Sequence, residues 1–312
     1  MRRRFTIHKG FTETFDFNNY LTIEALEDNL VVVFTNDIEY GIDGNGWIKL
    51  KALSKSQSIN TGQTLSFRGN LAPNSSNGIG TFTINKKCNL KGNCMSMLFG
   101  DNATNNYSLS DKNWAFCKLF SNCKNIVNAD SNFLPATTLA DSCYSDMFHG
   151  CTSLTTAPAL PATTLANSCY NNMFYGCTGL TTAPALPATT LADSCYYYMF
   201  RDCTSLTTAP ALHAITLTPG CYNSMFYGCT SLTTAPELPA ITLTPGCYNS
   251  MFYGCTKLNY IKMLATNISA SNCLCNWVNR VSSTGTFIKN AAMTNLPTGS
   301  SGIPNGWTVQ NA

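Results

Sequence analysis

Cysteine is the residue type in this chain with the most chemistry open to it, and its spacing is regular. Cys143, Cys169, Cys195, Cys221, Cys247 and Cys273 follow one another at steps of 26 residues, and Cys151, Cys177, Cys203, Cys229 and Cys255 keep the same step. A structural zinc site wants close pairs of ligands. The two series here are separated as Cys-x7-Cys, and the one close pair, Cys273 with Cys275, has no second pair to complete it. No metal site is expected. Disulfides between equivalent cysteines of stacked copies are disfavoured as well. Translation leaves their Cα–Cβ bonds parallel and the Cβ atoms as far apart as neighbouring strands, beyond the roughly 3.8 Å of a bridge. The expectation is columns of reduced, buried thiols acting as small hydrophobes, with bridges through Cys88, Cys94, Cys117 or Cys123 left open.

Acid–base and nucleophilic chemistry have little to work with. The chain has 3 histidines. His149 fills a slot held in other copies by Tyr175, Arg201, Tyr227 and Tyr253, and His213 fills a proline slot. Asp141 and Asp193 alternate with Asn167 at one repeat position, so no carboxylate pair is maintained. Neither a Gly-x-Ser-x-Gly elbow nor a phosphate loop is present. Ile42-Asp43-Gly44-Asn45-Gly46-Trp47 is a lone Asp-box-like run with its Asp-to-Trp spacing one residue short. No catalytic residue and no cofactor is expected, and the chain reads as a protein other than an enzyme. Asn74-Ser75-Ser76 is a formal glycosylation sequon without a secretory route to make it matter.

Behind the cysteines stands one repeated sentence. It runs Leu134-Pro135-Ala136-Thr137-Thr138-Leu139, Cys143-Tyr144, Met147-Phe148, Gly150-Cys151-Thr152, then Leu154-Thr155-Thr156-Ala157-Pro158. A period of this length marks stacked units, none of which buries its apolar face alone. The fold class expected is mainly β: a leucine-rich-repeat-type parallel solenoid of 26-residue coils, each with a short strand, preceded by a small all-β domain. Met147, Phe148, Leu154, Leu160, Leu165 and both cysteine columns should be buried. The rings of Tyr144, Tyr170, Tyr196, Tyr222 and Tyr248 should pack inward with their hydroxyls at the edge. Glu237 in the Ala159 slot marks a wet position, and Ile261 in the Ala157 slot a core one. Pro158, Pro184, Pro210 and Pro236 recur where a ladder donor is wanted, so either the strand is short or the missing N–H costs nothing there.

The ends of the array are degenerate, as capping requires. Cys94–Gly100 and Phe116–Cys123 echo the repeat upstream, and Cys273-Leu274-Cys275-Asn276-Trp277-Val278 keeps its register downstream. The expected organisation is an all-β N-terminal domain over residues 1–88, coils over 89–278 and a strand-rich cap over 279–312. In the first of these, Leu30–Phe34, Glu39–Ile42, Trp47–Leu50 and Thr64–Phe67 are β-prone runs, and Asp43-Gly44-Asn45-Gly46 is a hairpin-turn candidate.

Charge narrows the partners. Charged residues make up 11% of the chain, less than half of the roughly 25% usual in soluble domains, for a formal net charge of +3. That balance argues against a nucleic-acid binder working through a basic surface. No apolar run approaches the roughly 18 residues of a membrane span. Met1–Gly10 carries an arginine cluster with no apolar stretch behind it, so it reads as a solvated tail rather than a secretory signal.

The segment Met225-Phe226-Tyr227-Gly228-Cys229-Thr230-Ser231-Leu232-Thr233 and its copies resemble the BspA-like leucine-rich-repeat surface proteins, whose repeats carry a similar Phe-x-x-Cys-x-x-Leu signature. The likeness covers roughly residues 94 to 278. It implies adhesion to cell-surface proteins or glycans, in gut bacteria or in phages that infect them. A chain opening on Met1 without a leader suits a virion component such as a tail or receptor-binding part, which the N-terminal domain would attach to other virion proteins. The alternatives are a structural virion decoration or spacer, and a bacterial cell-surface adhesin. The location expected is the virion, the cell surface or the extracellular space. An oligomer is compatible with the spacing but not demanded by it.

Recognition residues should then lie in the variable columns. The slot at His149, Tyr175, Arg201, Tyr227 and Tyr253 forms one ridge. The pair after Cys-Tyr forms another, through Asn171, Tyr197 and Tyr198, Asn223 and Asn249. Tyrosines about 5 Å apart with asparagines beside them offer rigid amphipathic area and hydrogen bonds to a glycan or a protein patch.

Overall fold

The computed structural model describes residues 19–74 and 77–312. The arginine cluster of Met1–Gly10, and Ser75 and Ser76 of the sequon, lie outside the described residues. The fold is mainly β, with 23% strand against 5% helix.

The strands are β1 (Leu21–Ala25), β2 (Val32–Phe34), β3 (Ile38–Ile42), β4 (Asn45–Leu50), β5 (Thr64–Arg68), β6 (Phe82–Ile84), β7 (Cys88–Gly92), β8 (Ile126–Ala129), β9 (Tyr260–Met263), β10 (Thr286–Lys289) and β11 (Thr308–Asn311). Among the described residues a single short α-helix, α1 (Ser96–Phe99), follows β7. A 6-stranded sheet runs β4-β3-β5-β1-β7-β8, a 3-stranded sheet β11-β10-β9 and a 2-stranded one β2-β6. The hairpin at Asp43 forms as its residues suggest. Asp43 and Gly44 take φ of 47° and 78°, the two positive values of a tight turn whose twist matches the strands. The Asp43 carboxylate accepts from the Thr64 N–H at 2.9 Å and from Gln63 Nε2 at 3.0 Å, so this run serves the turn.

The first sheet does not stop at the expected junction. Residue 88 begins β7, which is antiparallel to β1 on one side and parallel to β8 on the other. Phe82 of β6 stacks on Phe120 at 5.2 Å and 10°, and Phe120 stacks on Phe148 at 5.7 Å. One sheet and one file of rings therefore run from the N-terminal segment into the first copies.

Between Phe133 and Tyr260 the chain forms neither regular helix nor regular strand, yet it is fully organised by a ribbon of turns. The Ser145, Met147, His149 and Cys151 amides donate to Ser142, Tyr144, Asp146 and Phe148 carbonyls within the copy. The intervening Tyr144, Asp146, Phe148 and Gly150 amides donate to Cys169, Asn171, Met173 and Tyr175 carbonyls of the next. Ser142, Asp146 and Gly150 have φ of 55°, 54° and 71°. A left-handed residue at every fourth position prevents the turns from winding on into a right-handed helix and leaves alternate amides facing the neighbouring copy. The pattern repeats through Ser168, Asn172 and Gly176 to Gly246, Ser250 and Gly254.

The opposite side of each copy shows why no strand forms in the middle. There the pairing shrinks to isolated parallel bridges such as Thr182↔Thr208 and Thr164↔Thr190. Where the proline slot holds Asp130 or Lys262 instead, a strand does form, β8 ending just before Asp130 and β9 containing Lys262, and the Asp130 N–H donates to Leu90 O at 2.9 Å. Proline has no such donor, so the four prolines keep the strand short.

The interior consists of files. Met147, Phe148, Leu154, Leu160 and Leu165 are buried, as are their counterparts. The Tyr144–Tyr170–Tyr196–Tyr222–Tyr248 rings stack at 5.9, 5.8, 5.7 and 6.1 Å. The Phe148, Phe174, Phe200, Phe226 and Phe252 rings do so at 5.6 to 5.7 Å, and Trp277 closes both files. All 16 cysteines are free thiols, and only Cys275 is not buried. The second cysteine series acts as more than a hydrophobe. Cys151, Cys177, Cys203, Cys229 and Cys255 each donate an S–H to the carbonyl of Phe120, Phe148, Phe174, Phe200 and Phe226 at 3.0 to 3.2 Å, tying each copy to the one before it.

Candidate binding ridge

The variable slot after Met-Phe faces outward and forms a continuous stack. His149 lies on Tyr175 with ring centroids 4.7 Å apart and planes 7° apart. The Arg201 guanidinium lies 5.3 Å from the Tyr175 centroid on one side and 4.3 Å from that of Tyr227 on the other. Tyr227 and Tyr253 stack at 4.6 Å and 4°, and Arg280 ends the column 5.6 Å from Tyr253. Tyr198 adds a further ring 4.8 Å from the Arg201 guanidinium. Desolvation opposes the charge on Arg201, but the surrounding Tyr175, Asp202 and Tyr198 raise its pKa, so it stays cationic.

Copy-to-copy hydrogen bonding sets this spacing. Like residues of a stacked ribbon repeat at about 4.7–5 Å, close to the separation at which flat groups pack. Tyr175, Arg201, Tyr227 and Tyr253, all expected in one ridge, are brought together. Asn171, Tyr197, Asn223 and Asn249 share the neighbouring column. There the Asn223 and Asn249 carbonyl oxygens accept from the Ser224 and Ser250 hydroxyls at 2.9 Å. Tyr197 packs on Tyr198 at 4.0 Å. Burial, a hydrogen bond with Tyr198 and the Tyr198 charge push the Tyr197 hydroxyl up to about 12 against the pull of Arg201. It is a neutral donor at any ordinary pH.

The stack determines what can bind. Ring faces inside the column are covered by their neighbours, so a partner meets ring edges, tyrosine hydroxyls and guanidinium N–H groups. His149 and Arg201 have acidic companions in Asp146 and Asp202, each at 3.5 Å. Arg280 was not foreseen from the sequence. It lies one position beyond the tyrosine slot, in the left-handed position held by Gly254 in the preceding copy, with φ of 62°. A basic residue at that position was the available signal. The exposed Tyr107 precedes the regular copies, so spacing alone does not single it out. Among known proteins, no family model, no curated sequence and no solved structure matches this chain.

Proposed function

We propose that this chain is a non-enzymatic recognition protein, a leucine-rich-repeat-type solenoid that holds a ligand of the cell surface through its outer ridge. The observation that carries this reading is the unbroken column His149–Tyr175–Arg201–Tyr227–Tyr253–Arg280. Rigid tyrosines and arginines are the side chains that dominate recognition surfaces, because they bring large contact area and directed donors at low entropic cost. The exposed edge is rich in donors and carries two guanidiniums, so it suits a glycan or protein patch presenting acceptor oxygens. A phage particle is the carrier that the BspA-like resemblance suggests, with the N-terminal sheet as its attachment.

Binding of the labelled chain to susceptible cells tests this against a variant with Tyr197, Tyr198 and Arg201 all replaced by alanine. The expected result is a loss of about tenfold or more in affinity, or about 1.4 kcal/mol, with the circular dichroism spectrum unchanged. Undiminished attachment by the folded variant removes the ridge from recognition. A wild-type chain that binds no cell, yet is required for particle assembly, has a structural role instead.

A further inference from the structure

A second concave feature lies away from the ridge, where the end of β7, the 3-10 turn Gly100–Asn105 and the turn Ser131–Phe133 meet. It encloses about 570 Å³, within the range of small-ligand clefts. Tyr107 stands on one side, 51% exposed, and among the described residues no other ring packs on it. Its backbone is held in place, with its carbonyl accepting from the Thr137 and Thr138 amides at 2.9 and 3.2 Å.

The backbone of other lining residues is held as well. The Asp130 N–H donates to Leu90 O at 2.9 Å, Asp130 O accepts from the Phe133 N–H at 3.0 Å, and Ser131 O accepts from the Ala159 N–H at 3.2 Å. Yet the side chains of Thr104, Asp130, Ser131 and Asn132 form no hydrogen bond within the described residues, and all of them line the cleft. Leu134, Pro135, Ala159 and Pro161 add apolar lining. A half-exposed tyrosine ring thus shares one cleft with a carboxylate, an amide and two hydroxyls, on a backbone that is held in place and with these polar groups uncommitted.

We propose that this cleft binds one neutral pyranose residue of a glycan. A pyranose has an apolar face of C–H groups and a rim of hydroxyls. The C–H groups rest on the electron-rich face of the Tyr107 ring. The hydroxyls donate to the Asp130 carboxylate and exchange hydrogen bonds with the Asn132 amide, which offers both donor and acceptor. Asp130 is the one charged residue lining the cleft, so sialic and uronic acids are repelled. The ridge, with its two guanidiniums, has the opposite preference. This site therefore stands or falls independently of the ridge.

Saturation-transfer NMR on the full chain tests it with methyl pyranosides of glucose, galactose, mannose, N-acetylglucosamine and N-acetylgalactosamine, alongside glucuronic and N-acetylneuraminic acids. At least one neutral sugar is expected to take up saturation, strongest on the protons of one ring face. Tyr107→Ala should weaken it by about tenfold or more, Tyr107→Trp should retain it, and the ridge variant should leave it unchanged. The proposal is overturned if no neutral sugar responds, if the response survives Tyr107→Ala, or if the acidic sugars bind better.

Discussion

Replacing Gly176 probes the left-handed step on which the turn ribbon depends. Its φ is 70°, and a Cβ added there meets nothing closer than Gly150 Cα at 3.8 Å. Space is therefore available, and the backbone conformation alone sets the cost. An L-residue in the left-handed region costs about 1–2 kcal/mol, offset by about 0.4–1 kcal/mol from the stiffer unfolded chain. Gly176→Ala should lose about 0–1.6 kcal/mol, with a central value of ~0.8 kcal/mol. Gly176→Asn should lose less although asparagine is larger, because its side chain bonds locally in that conformation, and Gly176→Val should lose most. Gly228 has nearly the same φ, 71°, but its added Cβ falls against the Asp202 carboxylate oxygen. Gly228→Ala should therefore cost more than Gly176→Ala, and Asp202→Gly in the same chain should return it towards the Gly176→Ala value, a coupling of about 0.5–1 kcal/mol. Urea midpoints followed by tryptophan fluorescence and by circular dichroism give the order. Alanine proving no worse than asparagine at 176 would refute the argument that backbone handedness builds the ribbon, whereas the two glycines responding alike to alanine would show that the Asp202 side chain yields at no cost.

Two further outcomes follow from burial. Native protein at pH 8 should yield about one fast-reacting thiol to a disulfide reagent, Cys275, and all 16 only after denaturation. Burial raises Cys117 and Cys247 to about 11 and Cys143 and Cys195 to about 12, which leaves at most about one thiolate in a thousand at that pH. Several fast thiols in folded protein would show that the files are open. On β1, desolvation raises the Glu24 pKa, but hydrogen bonds from Lys91 and Asn89 and the Lys91 charge outweigh it and hold the carboxyl below 4.5. A depressed folded pKa means the stability from Glu24 is complete above its unfolded value and lost as pH falls through the folded one. Glu24→Gln should flatten the acid limb of a melting-temperature profile below about pH 5, and an unchanged limb would place that pH dependence elsewhere.

The register of the files was legible in the cysteine, Met-Phe and leucine spacing, because residues a fixed step apart meet once copies repeat. The wet Ala159 slot and the packed Ile261 were legible from substitutions between copies. Three strands of the N-terminal region, β1, β6 and β7, were not, since their runs are short and partly polar and gain definition from the partners on either side. The ribbon of turns was half visible. Ser, Asp, Asn and Gly at every fourth position spell it in most copies, but Tyr198, Trp114 and Arg280 hold the same conformation against their own preference. The Cys-to-Phe carbonyl bonds had no sequence signal, because thiol direction depends on the neighbouring copy.

What this sequence determined alone is the period and the division into inward and outward columns, both of which follow from side-chain chemistry repeated along one chain. Tertiary structure decided the rest. Coil-to-coil hydrogen bonds set the separation at which His149, Tyr175, Arg201, Tyr227 and Tyr253 lie face to face, so that their faces serve one another and only their edges serve a ligand. The meeting of β7, Tyr107 and the turn after β8 was likewise outside the reach of spacing. Those residues fall in degenerate copies whose spacing departs from the regular step, and only the folded backbone brings the Tyr107 ring and the unpaired polar groups to one cleft.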